Sequence, residues 1–95
     1  MKAVAFSPAA EADIDEIWDY SASRWGPDQA DDYIDAIRDA CHALARGTKQ
    51  GRTAEVLPDF QKHPCGSHVI YFLDYPGHLD VIRILHQRQD AERHL

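Results

Sequence analysis

Residues 78–90, HLDVIRILHQRQD, decide the fold of this chain. Apolar side chains lie on both faces of this predicted strand, with Leu79, Val81 and Leu85 on one face and Ile82 and Ile84 on the other. Such a strand is typical of a sheet that is covered on both faces, or covered on one and open to a partner on the other. The strand ends in a polar and basic tip at His86, Gln87 and Arg88, which marks this end as a candidate functional site.

Three more extended segments precede this strand in the second half of the chain. They are GRTAEVL at 51–57, DFQKHP at 59–64 and SHVIYFLDY at 67–75, separated by turns at Pro58, at Pro64-Cys65-Gly66 and at Pro76-Gly77. Runs of this length between proline and glycine turns predict short antiparallel strands. A further short strand, KAVAF, is predicted at residues 2–6.

Two helices are predicted between the first strand and the others. Ser7 is a suitable N-cap with Pro8 at the first helical position, and Gly26-Pro27 ends this helix and starts the next. The apolar stripes are Ala10, Ile14, Ile17, Trp18 and Trp25 on the first helix, and Ala30, Tyr33, Ile34, Ile37, Cys41 and Leu44 on the second. The acids Asp13, Glu16 and Asp19 are interpreted as a solvated face, and the short junction predicts an antiparallel hairpin.

The order of these elements predicts one α+β domain over residues 1–95. Its architecture would be two-layered, β-α-α-β-β-β with an optional further strand, and the helical hairpin would pack on one face of a mainly antiparallel sheet. The other sheet face would then be open to solvent or a partner, or be covered by long side chains and the C-terminal tail. A large apolar patch on so small a protein would indicate a binding surface.

Composition narrows the possible functions. The chain is 44% hydrophobic and 27% charged with a net charge of −6, which is typical of a folded domain but not of a general nucleic-acid binder. We therefore expect no sequence-specific DNA binding by this chain alone, no membrane span and a cytoplasmic location. Cys41 is predicted to be a buried thiol and not part of a disulfide with Cys65, and the six histidines lack the spacings of a metal site. No cofactor is predicted.

Register decides which side chains share a face of the last hairpin. An odd loop at Pro76-Gly77 would put His68 and His86 together, whereas a two-residue loop would separate them; we favour the odd loop because a type II turn splays hairpin strands. The histidines would then share the open face with Ile70, Phe72, Ile82, Ile84 and Arg88. Arg83 would lie on the helix side with Val69, Tyr71, Leu73, Val81 and Leu85. A partly buried Arg83 would need an acidic or carbonyl partner, so we assign it to a structural ion pair.

Two blocks of the chain resemble the ParE branch of the RelE/ParE toxin superfamily. The first is FSPAAEADIDEIWDYSASRWGPDQADDYIDAI at 6–37, similar to the family's helical hairpin. The second is HVIYF at 68–72 followed by LDVIRILHQRQD at 79–90, similar to the family's last hairpin and its Arg-x-x-His ending. Gln89 departs from the Met or Arg that is common before the final Asp.

The resemblance implies the toxin of a type II toxin–antitoxin system. Its partners would be a ParD-like antitoxin, which binds and neutralises it, and DNA gyrase, which it inhibits without being an enzyme. We assign target binding to His86, Arg88 and Arg93, the cations of a C-terminal segment expected to be loosely held. The predicted antitoxin surface comprises Ile70, Phe72, Ile82 and Ile84 on the sheet and Trp18 and Tyr33 on the hairpin.

Two alternatives remain open at this stage. RelE-type relatives cleave messenger RNA on the ribosome, and metal-independent cleavage needs an acid, a base and a cation, which His68, His86 and Arg88 would supply if they converge. The acidic net charge and a tail without an aromatic residue, QRQDAERHL, favour the gyrase hypothesis. A relative that has lost its activity and only binds an antitoxin is the other alternative.

Overall fold

Helices and strands follow the predicted order. The computed structural model describes residues 2–55 and 57–95. The elements are β1 Ala3–Phe6, α1 Pro8–Trp25, α2 Pro27–Arg46, β2 Arg52–Thr53, β3 Gln61–Cys65, β4 His68–Asp74, β5 His78–His86 and α3 Ala91–His94. The sheet order is β1-β5-β4-β3-β2, with β1 parallel to β5 and the other pairs antiparallel. The predicted α+β fold is confirmed, although β2 is much shorter than predicted for 51–57; Val56 of that segment lies outside the described residues.

The start of α1 is tied directly to the sheet. The Ser7 hydroxyl accepts the Ala10 N–H at 3.0 Å and donates to the Ile82 carbonyl at 2.6 Å, while the Ser7 N–H donates to the Val81 carbonyl at 2.9 Å. Ser7 is therefore both the predicted helix cap and an anchor of α1 on β5.

A single residue joins the two helices. Gly26 has a positive φ of 93°, which few residues other than glycine adopt, and its N–H donates to the Ala22 carbonyl while its own carbonyl accepts from Ala30. The chain reverses at this point, so the predicted antiparallel hairpin is confirmed.

On β4 and at the end of β5 the side chains that meet the helices are the reverse of those predicted, whereas Val81 lies in the helix-side core as predicted. Ile70, Phe72 and Ile84 are fully buried against the hairpin, in one core with Ile37 and Cys41. Their predicted place on an open face is therefore wrong. Burial raises the pKa of the Cys41 thiol to about 12, in agreement with its prediction as a buried cysteine.

The register of the last hairpin combines a short turn with a bulge. The Tyr75 N–H donates to the His78 carbonyl at 2.9 Å, which leaves the two-residue loop Pro76-Gly77 and contradicts the predicted odd loop. Phe72 pairs with Val81 but Tyr71 pairs with Arg83, so Ile82 is the extra residue of a β-bulge. The bulge shifts the register by one residue. It restores the pairing of His68 with His86 that the odd loop was expected to give, and it leaves Ile82 half-buried.

The opposite face carries a second, smaller core. Tyr71 and Leu85 are buried there under the C-terminal helix α3, whose Ala91 and following Leu95 pack against them. The carbonyl of His94 also accepts a hydrogen bond from Arg83 Nη1 at 3.1 Å. The C-terminal segment is thus docked on the sheet, contrary to the expectation that it would be loosely held.

Side chains complete the outer edge of β5 beyond the end of β1, which pairs only as far as Val81. The Asp13 carboxylate accepts the Ile84 N–H at 2.9 Å, and Gln89 Oε1 accepts the His86 N–H at 2.7 Å. Asp13 also binds Arg83 through two hydrogen bonds of 2.8 and 2.7 Å. Asp13 as a whole is only 6% exposed, so the predicted solvated face of α1 is wrong at this residue, whereas the structural ion pair predicted for Arg83 is confirmed.

Candidate functional site

The histidine pair lies at the end of the sheet beneath the helical hairpin. The rings of His68 and His86 face each other edge-on with centroids 5.3 Å apart, and the Tyr33 ring lies 5.5 Å from His68. The Tyr33 hydroxyl accepts the Ser67 N–H at 3.0 Å and lies 2.7 Å from His68 Nδ1. The turn before β4 contains Gly66, at a φ of 60°, where a Cβ would come within 2.7 Å of the Tyr33 ring. A glycine is therefore needed here for Tyr33 to reach the histidine.

Hydrogen bonds engage Nδ1 of both rings. His68 Nδ1 shares a hydrogen bond with the Tyr33 hydroxyl, which also accepts the Ser67 N–H and lies 3.5 Å from the Cys65 carbonyl. His86 Nδ1 accepts the Arg88 N–H at 3.2 Å. His86 therefore carries its proton on Nε2, which makes this nitrogen a donor to a ligand and leaves it without a lone pair for a metal ion.

Burial keeps His68 neutral near pH 7. The pKa of His68 is lowered by desolvation and further by the neighbouring His86, while Asp13 acts in the opposite direction. Burial also raises the pKa of Tyr33. Tyr33 and His68 are thus uncharged hydrogen-bonding groups on the floor of this site.

Acidification is expected to destabilise the protein through His68. The unfolded chain takes up this proton near the ordinary histidine pKa of about 6.5, and the folded chain does so only at lower pH. The unfolded state then binds more protons, so the free energy of unfolding falls as the pH falls through 6.5. Melting temperatures between pH 7.5 and 5 should fall less steeply for His68→Asn, whose amide oxygen retains an acceptor for Tyr33, than for the wild type. The control His42→Asn replaces an exposed ring on α2 and should keep the wild-type slope; equal slopes for all three proteins would contradict this prediction.

An aromatic pocket opens above the histidines at the tip of the hairpin. Tyr20 and Trp25 are 57% and 55% exposed, their ring centroids are 6.3 Å apart, and the Arg24 guanidinium lies 5.5 and 5.6 Å from the two rings. The cavity has a volume of about 270 Å³, and its lining consists of Tyr20, Ser21, Trp25, Gln29, Tyr33, Ser67, His68 and His86. Trp25 was predicted on the buried stripe of α1, but it lies at the last turn before Gly26 and points outward. We call this cavity the aromatic pocket.

The other predicted site residues are dispersed. Arg88 is exposed in the turn after β5 and Arg93 is exposed on α3, where its side chain is 83% accessible and pairs loosely with Asp90 at 3.6 Å. The His86 ring lies beside His68 and lines the pocket at the hairpin, so it is not exposed as Arg88 and Arg93 are. Of the proposed nuclease set, the structure brings together the two histidines.

The residues predicted to bind the antitoxin also lie in different parts of the structure. Trp18 and Tyr33 are half-buried on the hairpin, where the Trp18 indole N–H donates to Asp31 at 2.8 Å. The sheet residues Ile70, Phe72 and Ile84 belong to the core. Tyr20, which the sequence interpretation did not select, lies in the aromatic pocket. Tyr20 could have been selected from the sequence because it is a large aromatic residue outside the apolar stripe of an acidic helix.

Charge separates the hairpin from the rest of the chain. Residues 8–46 contain ten acidic and three basic side chains, a net charge of −7, whereas residues 47–95 contain six of each. The hairpin surface around the aromatic pocket therefore favours cationic partners. Among the described residues, no helix is both long and apolar enough to cross a membrane.

Comparison with known proteins is consistent across sequence and structure. A family profile described as "ParE toxin of type II toxin-antitoxin system, parDE" matches residues 4–91. Toxin ParE1 of Mycobacterium tuberculosis is 41% identical over 91 residues, which cover 94% of this chain and 93% of that protein. Toxin ParE1 of Caulobacter vibrioides is 35% identical over 96 residues, which cover 100% and 99%. A solved chain of the chromosomal ParDE TA system from P. aeruginosa has the same fold, with a TM-score of 0.79, 21% identity, and coverage of 90% of this chain and 96% of that one.

Proposed function

The chain belongs to the ParE toxin family of type II toxin–antitoxin systems, and from this premise we propose that it arrests growth by binding DNA gyrase and is neutralised by a ParD-like antitoxin. Gyrase is the target implied by the resemblance to the ParE branch. In this proposal the protein is a binding inhibitor and not an enzyme, and it acts in the cytoplasm, where gyrase is found.

The observation that carries the proposal is the docked C-terminal segment. Asp90 caps α3 by accepting the Glu92 N–H at 3.1 Å, and Ala91 and Leu95 hold the helix on the small core. Arg88 and Arg93 project from this fixed base into solvent. A pre-ordered cationic segment loses little conformational entropy on binding, which suits recognition of an acidic protein surface.

The alternative of ribosome-dependent messenger RNA cleavage draws support from the closeness of His68 and His86. Against it, both Nδ1 atoms are engaged in hydrogen bonds inside the fold, and the pair lies under the acidic hairpin. An RNA phosphate would be repelled by this surface, so the geometry favours protein binding over RNA cleavage.

An assay with purified components tests the function. We expect this protein to reduce supercoiling of relaxed plasmid by gyrase, and we expect addition of the antitoxin encoded beside the toxin gene to restore it. Intact supercoiling together with cleavage of messenger RNA on ribosomes would support the nuclease alternative instead. Antitoxin binding without either activity would identify an inactive relative.

Removing the two tail cations should weaken gyrase inhibition while leaving the fold intact. One charge-assisted hydrogen bond contributes about 1.5–3 kcal/mol, so Arg88→Ala with Arg93→Ala should raise the concentration for half-inhibition by about tenfold or more. The melting temperature should stay nearly unchanged because both side chains are exposed. Arg52→Ala, an exposed arginine on β2, is the matched control. If the double variant inhibits gyrase as strongly as the wild type, these two cations do not take part in target binding.

A further inference from the structure

We propose that the aromatic pocket is the anchor site for a cationic segment of the antitoxin, which packs one large apolar side chain against Tyr20 and Trp25. This inference rests on the proposed neutralisation and assigns it a place on the toxin. It moves the partner surface from the sheet, where the sequence pattern suggested it, to the tip of the helical hairpin.

The size of the pocket selects a side chain over a small-molecule ligand. Its volume of about 270 Å³ lies below the range of about 300–1,000 Å³ that is usual for small-molecule sites. It suffices for one aromatic or branched aliphatic side chain. Tyr20 and Trp25 supply exposed apolar walls, and residues of these types, when they become desolvated by a partner, dominate the binding energy of protein interfaces.

The floor of the pocket adds directional hydrogen bonding. The Nδ1 atoms are occupied by Tyr33 and by the Arg88 N–H, so each histidine offers Nε2 to a ligand, and on His86 this nitrogen carries the proton. Such a donor matches a backbone carbonyl oxygen next to an inserted side chain. A peptide segment provides both groups together.

Charge selects a cationic segment. The hairpin has a net charge of −7, and Asp28 and Asp32 flank the pocket residue Gln29 in the first turns of α2. A second copy of this chain would bring the same acidic surface against itself, and a nucleic acid or acidic peptide would be repelled in the same way. Basic residues beside the apolar anchor would be attracted, and Arg24 stacked on the two rings keeps the immediate pocket wall from being wholly acidic.

Calorimetric titration of the purified toxin with its separately purified antitoxin, the product of the adjoining gene, tests the assignment. Trp25→Ala should raise the Kd by about tenfold or more, as expected for a hot-spot aromatic residue, and Tyr20→Ala should act in the same direction. Tyr75→Ala is the matched control because Tyr75 is also an exposed aromatic residue, 41% accessible, but lies at the other end of the sheet. Its Kd should equal that of the wild type, and unchanged melting temperatures would establish that all three variants are folded.

Ionic strength tests the charge of the segment. Since the Debye length is about 10 Å at 0.1 M salt, binding should weaken as salt is raised, and Asp28→Asn with Asp32→Asn should weaken it at low salt and flatten this dependence. Equal affinity of the wild type and Trp25→Ala overturns the anchor site alone, and affinity that is insensitive to salt and to the Asp variants overturns the cationic assignment. Failure of the wild type to bind the antitoxin overturns the proposed neutralisation and the pocket with it, independently of any result with gyrase.

Discussion

Arg83→Ala is expected to lower the free energy of unfolding by about 3–5 kcal/mol, because it leaves the buried carboxylate of Asp13 without its counter-ion. Asp13 would retain the single hydrogen bond from the Ile84 N–H, and α3 would lose the bond from Arg83 to the His94 carbonyl. For a domain of this size each kcal/mol corresponds to about 4–8 °C in melting temperature. Urea denaturation monitored by circular dichroism measures the effect directly.

Two further variants separate burial from charge pairing. Arg83→Lys keeps the charge but not the two-pronged geometry, so its loss should be intermediate. Lys62→Ala removes an exposed ion pair with Glu55, 3.7 Å apart, and should cost less than about 1 kcal/mol. If Arg83→Ala and Lys62→Ala have equal effects, the pair with Asp13 contributes no more than a surface contact and the structural role assigned to Arg83 is wrong.

Phe72→Ala should destabilise the protein by about 3–5 kcal/mol, the usual range for deleting a buried aromatic ring. Phe72 is 1% exposed and packs under the helical hairpin, so its removal leaves a cavity that the surrounding core fills only in part. The same substitution at Tyr75, on the same hairpin but exposed, should change the free energy of unfolding by less than about 1 kcal/mol. Near-equal values for Phe72→Ala and Tyr75→Ala would mean that Phe72 faces solvent, as the sequence interpretation had it.

Local chemistry made the helical half of the fold predictable. Ser7 followed by Pro8, the Gly26-Pro27 pair and Gly47 each act within a few residues, and all three mark helix ends in the structure. The last hairpin lacks such a local signal because both faces of β4 and β5 are apolar. The assignment of faces then depends on loop parity and on a bulge at Ile82, whose carbonyl accepts a hydrogen bond from Ser7, a residue far away in sequence.

Asp13 shows how a buried charge escapes pattern analysis. It was grouped with Glu16 and Asp19, which are exposed, although the spacing of Ala10, Asp13, Ile14 and Ile17 places it on the buried stripe of α1. The sequence feature that indicates a buried acid is Arg83, a lone cation in an apolar strand, which needs an acidic partner. The two residues are 70 positions apart, so their pairing becomes visible only once α1 and β5 are known to pack together.

The candidate site was predictable only in parts. The cations of the tail follow from composition, and the adjacency of His68 and His86 was predicted, but from an odd loop where the structure has a two-residue loop and a bulge. The aromatic pocket was not predicted, because the apolar spacing placed Trp25 on the buried stripe, whereas at the last residue of α1 it is exposed beside Tyr20. The docking of α3 was only one alternative in the sequence analysis, because it depends on contacts of Ala91 and Leu95 with the underside of the sheet and on the hydrogen bond from Arg83 to the His94 carbonyl.

The side chains that complete the outer edge of β5 also govern how copies of the toxin meet one another. An uncovered strand edge recruits other chains and seeds polymerisation into fibres. Here Ser7, Asp13 and Gln89 occupy backbone groups that an incoming strand would need, and near the opposite edge Pro64 has no N–H to offer. The described edges of the sheet therefore offer fewer free backbone groups to a strand of a second copy.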